Sequence, residues 1–259
     1  MQQNKENKSH REQFKEQIKK AKNTSKDAFF TWFDGGDTAE ACFVKGAWDF
    51  ANYISQFIFL HVKEPEKKTV LEIGYGGGRV LGAASQYFKN AIGIDIHECQ
   101  DTVLEELRKR GISNVKLYTT DGKTIPCLGA SVDMVYSFIV LQHVATIDIF
   151  ESYLRETYRV LKPGGIAVLY FGRFCHFSLN QKSKLRYFVD DALESFFLTK
   201  GYKELESPVN CINLLVSKKY MKQLSKNIGF QIILDIPSYK PDGNGNKIYG
   251  LQNGLVIKK

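Results

Sequence analysis

Between residues 62 and 170 the chain alternates short apolar runs with longer mixed stretches. Apolar runs stand at 70–73, 91–95 ("AIGID"), 115–119 ("VKLYT"), 132–139 ("VDMVYSFI") and 166–170 ("IAVLY"). The stretches between them carry helical patterns, as at 101–110 ("DTVLEELRKR", closed by Gly111) and 148–161. Continuous apolar strands separated by helices predict βαβ units and a parallel sheet buried on both faces. After Tyr170 the alternation pauses for some forty residues rich in Phe, Tyr, Lys and Arg. It resumes with a helix near 217–227, a strand at 230–236 and a last strand near 248–257. The joint between those two strands, "KPDGNGNK", is too short for a helical crossover, so they are expected to pair antiparallel. Upstream, residues 29–61 are aromatic and roughly helical from Trp48, with Phe50, Ile54, Phe57 and Ile58 at helical spacing as core. Residues 1–28 are almost wholly polar, with Phe14 and Ile18 four apart; they read as a frayed helix or a disordered arm, dispensable for the fold and for ligand binding.

The first apolar run enters "GYGGGR", with glycine at 74, 76, 77 and 78. A strand running into a glycine turn and then a helix is how a doubly wound sheet receives a nucleotide-like ligand at its carboxyl edge. A phosphate-gripping Walker loop is excluded, because "GGGRV" lacks its Lys and hydroxyl. A dinucleotide fingerprint is weakened, because Arg79 stands where its third glycine belongs. Glu72, inside the first strand, would repel a pyrophosphate but suits a cationic ligand. Asp95 ends the second strand, where an acid can accept both hydroxyl hydrogens of a ribose.

Composition narrows the class without deciding it. The chain has 259 residues, 43% hydrophobic and 25% charged, enough for a full core. No apolar run nears the roughly 20 residues of a membrane helix, and no leader is seen in the polar opening. Five scattered cysteines without a CxxC pair point to reduced thiols, a cytoplasmic setting and no metal site. The net charge of +8 sits away from the glycine loop: residues 1–28 hold eight Lys/Arg against four Asp/Glu, and residues 171–226 hold ten against five. Residues 62–170 hold thirteen of each, so the charge reads as solvated surface and nucleic acid as an unlikely partner.

Taken together the motifs resemble a class I S-adenosylmethionine-dependent methyltransferase of the small-molecule type. "VLEIGYGGGR" resembles its glycine motif, "GIDI" its ribose-binding acid and "TTDGKTIP" its adenine-edge motif. "VDMVYSFIVLQHV" resembles its fourth strand with the helix that follows, and "ETYRVLKPGGIAVLY" its turn into the fifth. The resemblance implies an α/β, three-layer Rossmann-like fold, with a seven-stranded, mostly parallel sheet whose last strand is antiparallel. To this the chain adds an N-terminal arm (1–28), an aromatic helical cap (29–61) and, within a domain spanning 62–259, a lid-like insertion at 171–216. The resemblance also implies the cofactor S-adenosylmethionine, with Glu72, Gly74 and Gly76 at its methionine end. Asp95 would hold the ribose, Ile96 the adenine face, and Asp121 with Gly122 the adenine edge; Phe138 and Ile139 would lie beside the sulfonium.

The expected reaction is O-methylation of a small polar molecule such as a sugar or glycan intermediate, with His143 as general base. Trp32, Arg173, His176 and Tyr187 are the expected acceptor contacts; Arg186, Asp34, Asp37 and Lys45 are further candidates. An RNA or protein N-methyltransferase and a non-catalytic binding module are the alternatives. The [DN]-P-P-[FY] motif used on exocyclic amines is absent after the fourth strand.

Overall fold

The computed structural model describes residues 9–175, 183–241 and 247–259. In chain order its elements are α1 (His10–Thr24), α2 (Lys26–Asp34), α3 (Ala39–Tyr53), α4 (Ser55–His61), β1 (Thr69–Ile73), α5 (Arg79–Ser85), β2 (Asn90–Asp95), α6 (Gln100–Lys109), β3 (Val115–Thr119), β4 (Val132–Ser137), α7 (Ile147–Val160), β5 (Leu161–Gly172), α8 (Lys184–Phe197), β6 (Tyr202–Glu204), β7 (Leu214–Val216), α9 (Lys218–Ile228), β8 (Gln231–Pro241) and β9 (Lys247–Lys258). A seven-stranded sheet runs β3-β2-β1-β4-β5-β9-β8, and β6 with β7 forms a separate small ladder. Strands β1 to β5 pair in parallel, whereas β9 is antiparallel to both β5 and β8. This is the expected Rossmann-like, mostly parallel architecture. Strand order reverses between β1 and β4, and a crevice opens at such a switch point.

Alternation along the strands divides the core between the two faces of the sheet. Val70, Tyr136, Val168 and Tyr170 join one cluster with Phe29, Phe30, Phe43 and Phe50 of the N-terminal helices. Leu71, Ile73, Val135 and Leu169 join the other with Phe150, Leu154 and Met221. The aromatic stretch 29–61 therefore supplies one layer of the sandwich. Its approach to the glycine loop is close: a Cβ on Gly46 of α3 would lie 2.6 Å from the Arg79 carbonyl of α5.

Three local expectations are revised. First, residues 10–24 are a packed helix and no loose arm. Ser9 and Glu12 close a capping box at its start, and Ile18 is 2% exposed. Phe14 and Ile18, though few, share one helical face by their spacing of four. Arg11 donates to the Thr120 carbonyl at 3.3 Å and Lys15 pairs with Glu98, so α1 is tied to the loops after β2 and β3. Second, β4 stops at Ser137 and the residues after it form no helix. Phe138 and Ile139 lie in a bend, 141–144 turn back on themselves, and the next helix begins at Ile147. Ile139 has φ +58, which ends strand geometry at once. Third, β8 runs on to Pro241, because β9 continues to pair with it through Tyr239 and Tyr249.

Candidate active site

The glycine loop is shaped first by packing. Gly74 takes φ +76, and a Cβ there would meet Val140 at 2.3 Å; Gly76 takes φ +52, with Phe33 of α2 in the corresponding place at 2.9 Å. Both positions need glycine for conformation and for room. Asp95, at the end of β2, grips this loop: its Oδ2 accepts from the Gly76 amide at 2.9 Å and its Oδ1 from the Ile96 amide at 2.7 Å. His97 completes the clamp. Its Nδ1 accepts from the Cys99 amide at 3.1 Å, so the proton sits on Nε2, which faces the Gly76 carbonyl at 3.0 Å.

Two further carboxylates sit in contrasting surroundings. Glu72 is 3% exposed and accepts from the Tyr136 hydroxyl at 3.0 Å. Burial pushes its carboxyl up to about 8, against smaller opposing pulls from Tyr136 and from Arg79. Asp121 follows β3 and caps its own turn. Its Oδ1 accepts from the Thr124 and Lys123 amides, at 2.7 and 2.9 Å, and from the Thr124 hydroxyl at 2.9 Å. Partial burial opposes ionisation, but these hydrogen bonds together hold the group at about 2.

All three carboxylates border one cavity of about 400 Å³. Glu72, Gly74, Gly76, Asp95, Ile96, Asp121, Gly122, Phe138 and Ile139 all line it. Phe138 is fixed by Tyr53, stacked at 4.7 Å, and by Tyr170, edge-on at 5.4 Å. Ile139 keeps a conformation rare for a β-branched residue, a strain that surrounding structure must hold in place. The opposite wall comes from outside the α/β core: His10, Arg11, Phe14 and Ile18 of α1, and Trp32 and Phe33 of α2. His143 also lines the cavity. Its Nδ1 donates to the Cys211 carbonyl at 2.6 Å, which leaves Nε2 with a lone pair, 3.2 Å from the Gln142 amide nitrogen. Burial lowers the pKa of this imidazole, so it is neutral at neutral pH. Three acids line the wall and suit a cationic ligand bearing vicinal hydroxyls; Arg11, Arg79 and Lys123 also line it, but the glycine loop itself lacks the lysine and hydroxyl of a Walker motif.

Residues 71–169 match the protein family described as a methyltransferase domain. That stretch is similar to a methyltransferase domain, and it sits in the fold shared with solved methyltransferases. Among curated relatives, the malonyl-[acyl-carrier protein] O-methyltransferase of a Marinomonas strain is 27% identical over 146 residues, 55% of this chain and 52% of that protein. The tRNA (carboxymethyluridine(34)-5-O)-methyltransferase of mouse is 30% identical over 120 residues, 46% of this chain and 17% of that protein. The chain thus spans about half the length of the first and less of the second. A solved S-adenosylmethionine-dependent methyltransferase from Methanosarcina mazei superposes with a TM-score of 0.56 at 21% identity, covering 80% of this chain and 98% of that one. A putative sarcosine dimethylglycine methyltransferase from Galdieria sulphuraria superposes at 0.54 with 15% identity, covering 85% and 87%. At such identities these superpositions speak for the fold.

Around the cavity several expectations are corrected. Arg173 and Tyr187 do not line it. They form a knot behind it, with the Arg173 guanidinium 3.8 Å over the Tyr187 ring and donating to the Tyr187 carbonyl and to Asp191. Arg173 is 0% exposed, so its aromatic and basic context served packing. Arg186 and Asp37 are exposed and line no part of the cavity, and Asp34 with Lys45 belongs to an ion cluster around Arg79. His176 lies outside the described residues. Of the insertion, Asn210 reaches the cavity, donating to the Trp32 carbonyl at 3.3 Å. Sequence reasoning missed His97 and the α1 residues. The position of His97, two after the strand-ending acid, was the available signal; for α1, the pair Phe14 and Ile18 was.

Proposed function

We propose that the chain transfers the methyl group of S-adenosylmethionine to an oxygen atom of a small polar acceptor, a sugar or glycan intermediate being the class expected. One observation carries the reading: acids at or beside three successive strand ends, Glu72, Asp95 and Asp121, open on a single cavity that Phe138, Ile139 and His143 also line. The cofactor supplies an activated methyl group on a sulfonium with a good leaving group. Asp95 accepts from the ribose hydroxyls, and Asp121 with Gly122 meets the adenine edge while Ile96 covers its face. Glu72 balances the charge of the methionine end, where Gly74 and Gly76 admit close approach. Phe138 and Ile139 hold the reacting end in line, and alignment supplies much of the acceleration. The neutral Nε2 of His143 takes the hydroxyl proton as the acceptor oxygen attacks, once the acceptor displaces the Gln142 amide; Trp32 covers the acceptor. The two curated relatives named above are O-methyltransferases by name, which supports oxygen as the accepting atom.

The same names support a second reading, in which the acceptor is RNA-borne. A screen of cell extract with isotopically labelled cofactor, fractionated into small molecules, RNA and protein, separates the two. With the acceptor in hand, His143→Ala should leave S-adenosylhomocysteine affinity intact and lower turnover by roughly 10²–10⁴. Turnover within a few-fold of the parent removes His143 from the chemistry.

A further inference from the structure

Helix α8 is turned inside out relative to an ordinary surface helix, whose apolar stripe faces the core. Its inward face carries Tyr187, Asp190 and Glu194, all buried at helical spacing. Its outward face carries Leu185 at 75% exposure, Phe188 at 50%, Val189 at 37% and Phe196 at 76%. The acids are consumed on the inside. Asp191 pairs with Arg173 at 3.3 Å and with the Lys218 ammonium at 2.6 Å, and Glu194 accepts from the Lys218 amide at 2.9 Å. Lys184 and Arg186, both exposed, are the charged residues of the helix left on its outer side. Of the five acids in residues 171–226, three lie on α8, while the ten cations of that segment leave it net positive.

We propose that the outward face of α8 docks on an anionic lipid surface. The face offers apolar side chains framed by cations with the carboxylates withdrawn, which is the pattern of a helix lying in the headgroup region with its apolar side sunk about 5–10 Å. A second copy of the chain would bring cationic rims together, on molecules each carrying a net charge of +8. A bilayer containing acidic lipid supplies both an apolar bed and the opposite charge. No helix among the described residues is long and apolar enough to cross a membrane, so the contact is peripheral. The proposal is independent of which acceptor is methylated.

The test is flotation of the full chain with vesicles of phosphatidylcholine alone and of phosphatidylcholine mixed with phosphatidylserine. Binding is expected to the mixed vesicles, to weaken as salt is raised, and to fall about tenfold or more in the double variant Phe188→Ser, Phe196→Ser. S-adenosylhomocysteine binding by that variant, measured calorimetrically, should match the parent and show an intact fold. Lys184→Glu with Arg186→Glu should lower binding to the mixed vesicles. Three results would overturn the proposal: no binding to mixed vesicles, equal binding to neutral ones, or equal binding by the serine variant. A parent dimer in sedimentation velocity that the serine variant dissociates would also overturn it, by assigning the face to a second copy.

Discussion

Two groups of buried charge in this molecule look alike in sequence and behave differently in space. One surrounds Arg173: Asp191 and Lys218 close on it, and Tyr187 stacks against it. The other surrounds Glu72 and Arg79, the latter paired with Asp34 and Asp49. The Arg173 group is packed shut and borders no part of the cavity. Glu72 instead faces about 400 Å³ of open space, with its carboxyl pushed up to about 8 by burial. Buried charge alone therefore does not mark a functional site, because ion networks that hold a fold perturb their members too. What distinguishes the second group is an incompletely balanced carboxylate beside a void of ligand size.

That contrast can be broken most forcefully at Arg173. Arg173→Ala leaves Asp191 paired with Lys218 but empties the wholly buried space over the Tyr187 ring and removes one side of the ion network. It should lower unfolding free energy by about 3–5 kcal/mol in denaturant titrations. S-adenosylhomocysteine affinity of the folded fraction should stay within about twofold. Lost affinity at retained stability would move the Arg173 group into the site.

Next in size is Asp95→Ala. Removing the proposed ribose acceptor should weaken S-adenosylhomocysteine by about 1.5–3 kcal/mol in calorimetry, at one ligand per chain in the parent. Unchanged affinity in a folded variant removes the assignment.

Glu72 sharpens the comparison through pH. Its folded pKa, about 8, lies above its ordinary 4.5, so the folded chain binds more protons between those values. Its contribution to stability is therefore present at low pH and lost as pH rises toward 8, at up to about 1.4 kcal/mol per unit. Thermal melts of the ligand-free protein should show that decline, and Glu72→Gln should flatten it. A cationic ligand end beside Glu72 favours the carboxylate, so S-adenosylmethionine binding near pH 7 should release protons. Buffer-dependent binding enthalpy reads that release, and its persistence in Glu72→Gln would exclude Glu72 as the source.

The smallest effect belongs to Asp121, whose pKa of about 2 lies below its ordinary 3.8. Its contribution is present above about 4 and lost as pH falls through 2; since the group is largely solvated, it amounts to about 0.5–1 kcal/mol. Acid melts of Asp121→Asn should lack that last decline, and a full-sized one would assign it to other carboxylates.

Much of the sheet was legible because parallel strands buried on both faces are nearly continuous apolar runs, as in "IAVL", or in "VLEI" with Glu72 as the one polar break. Of the acids, Asp95 was legible because it ends its apolar run and Glu72 because it interrupts one, while Asp121 was found through the resemblance of "TTDGKTIP". What failed did so for stated reasons. Arg173 and Tyr187 have the composition of a ligand contact, but composition does not say which way a side chain turns. His97 was missed because its place two residues after Asp95 was its one signal, and its role, accepting from one amide and facing one carbonyl, leaves no further pattern along the chain. The segment 1–28 read as a loose arm because propensity and two apolar residues do not by themselves stabilise a helix.

By itself, then, the sequence determined the alternation of strands and helices, the glycine turn and the carboxylates at the strand ends, since these follow from local periodicity and spacing. Only the tertiary structure decided that α1 closes over the cavity, that Ile139 is forced to φ +58 above the end of β4, and that α8 turns its acids inward and its phenylalanines out. Those outcomes depend on contacts between residues more than a hundred positions apart, as Arg11 is from Thr120, or on which of two helix faces finds a partner. Local pattern limits such choices, and the packing energy of the whole chain makes them.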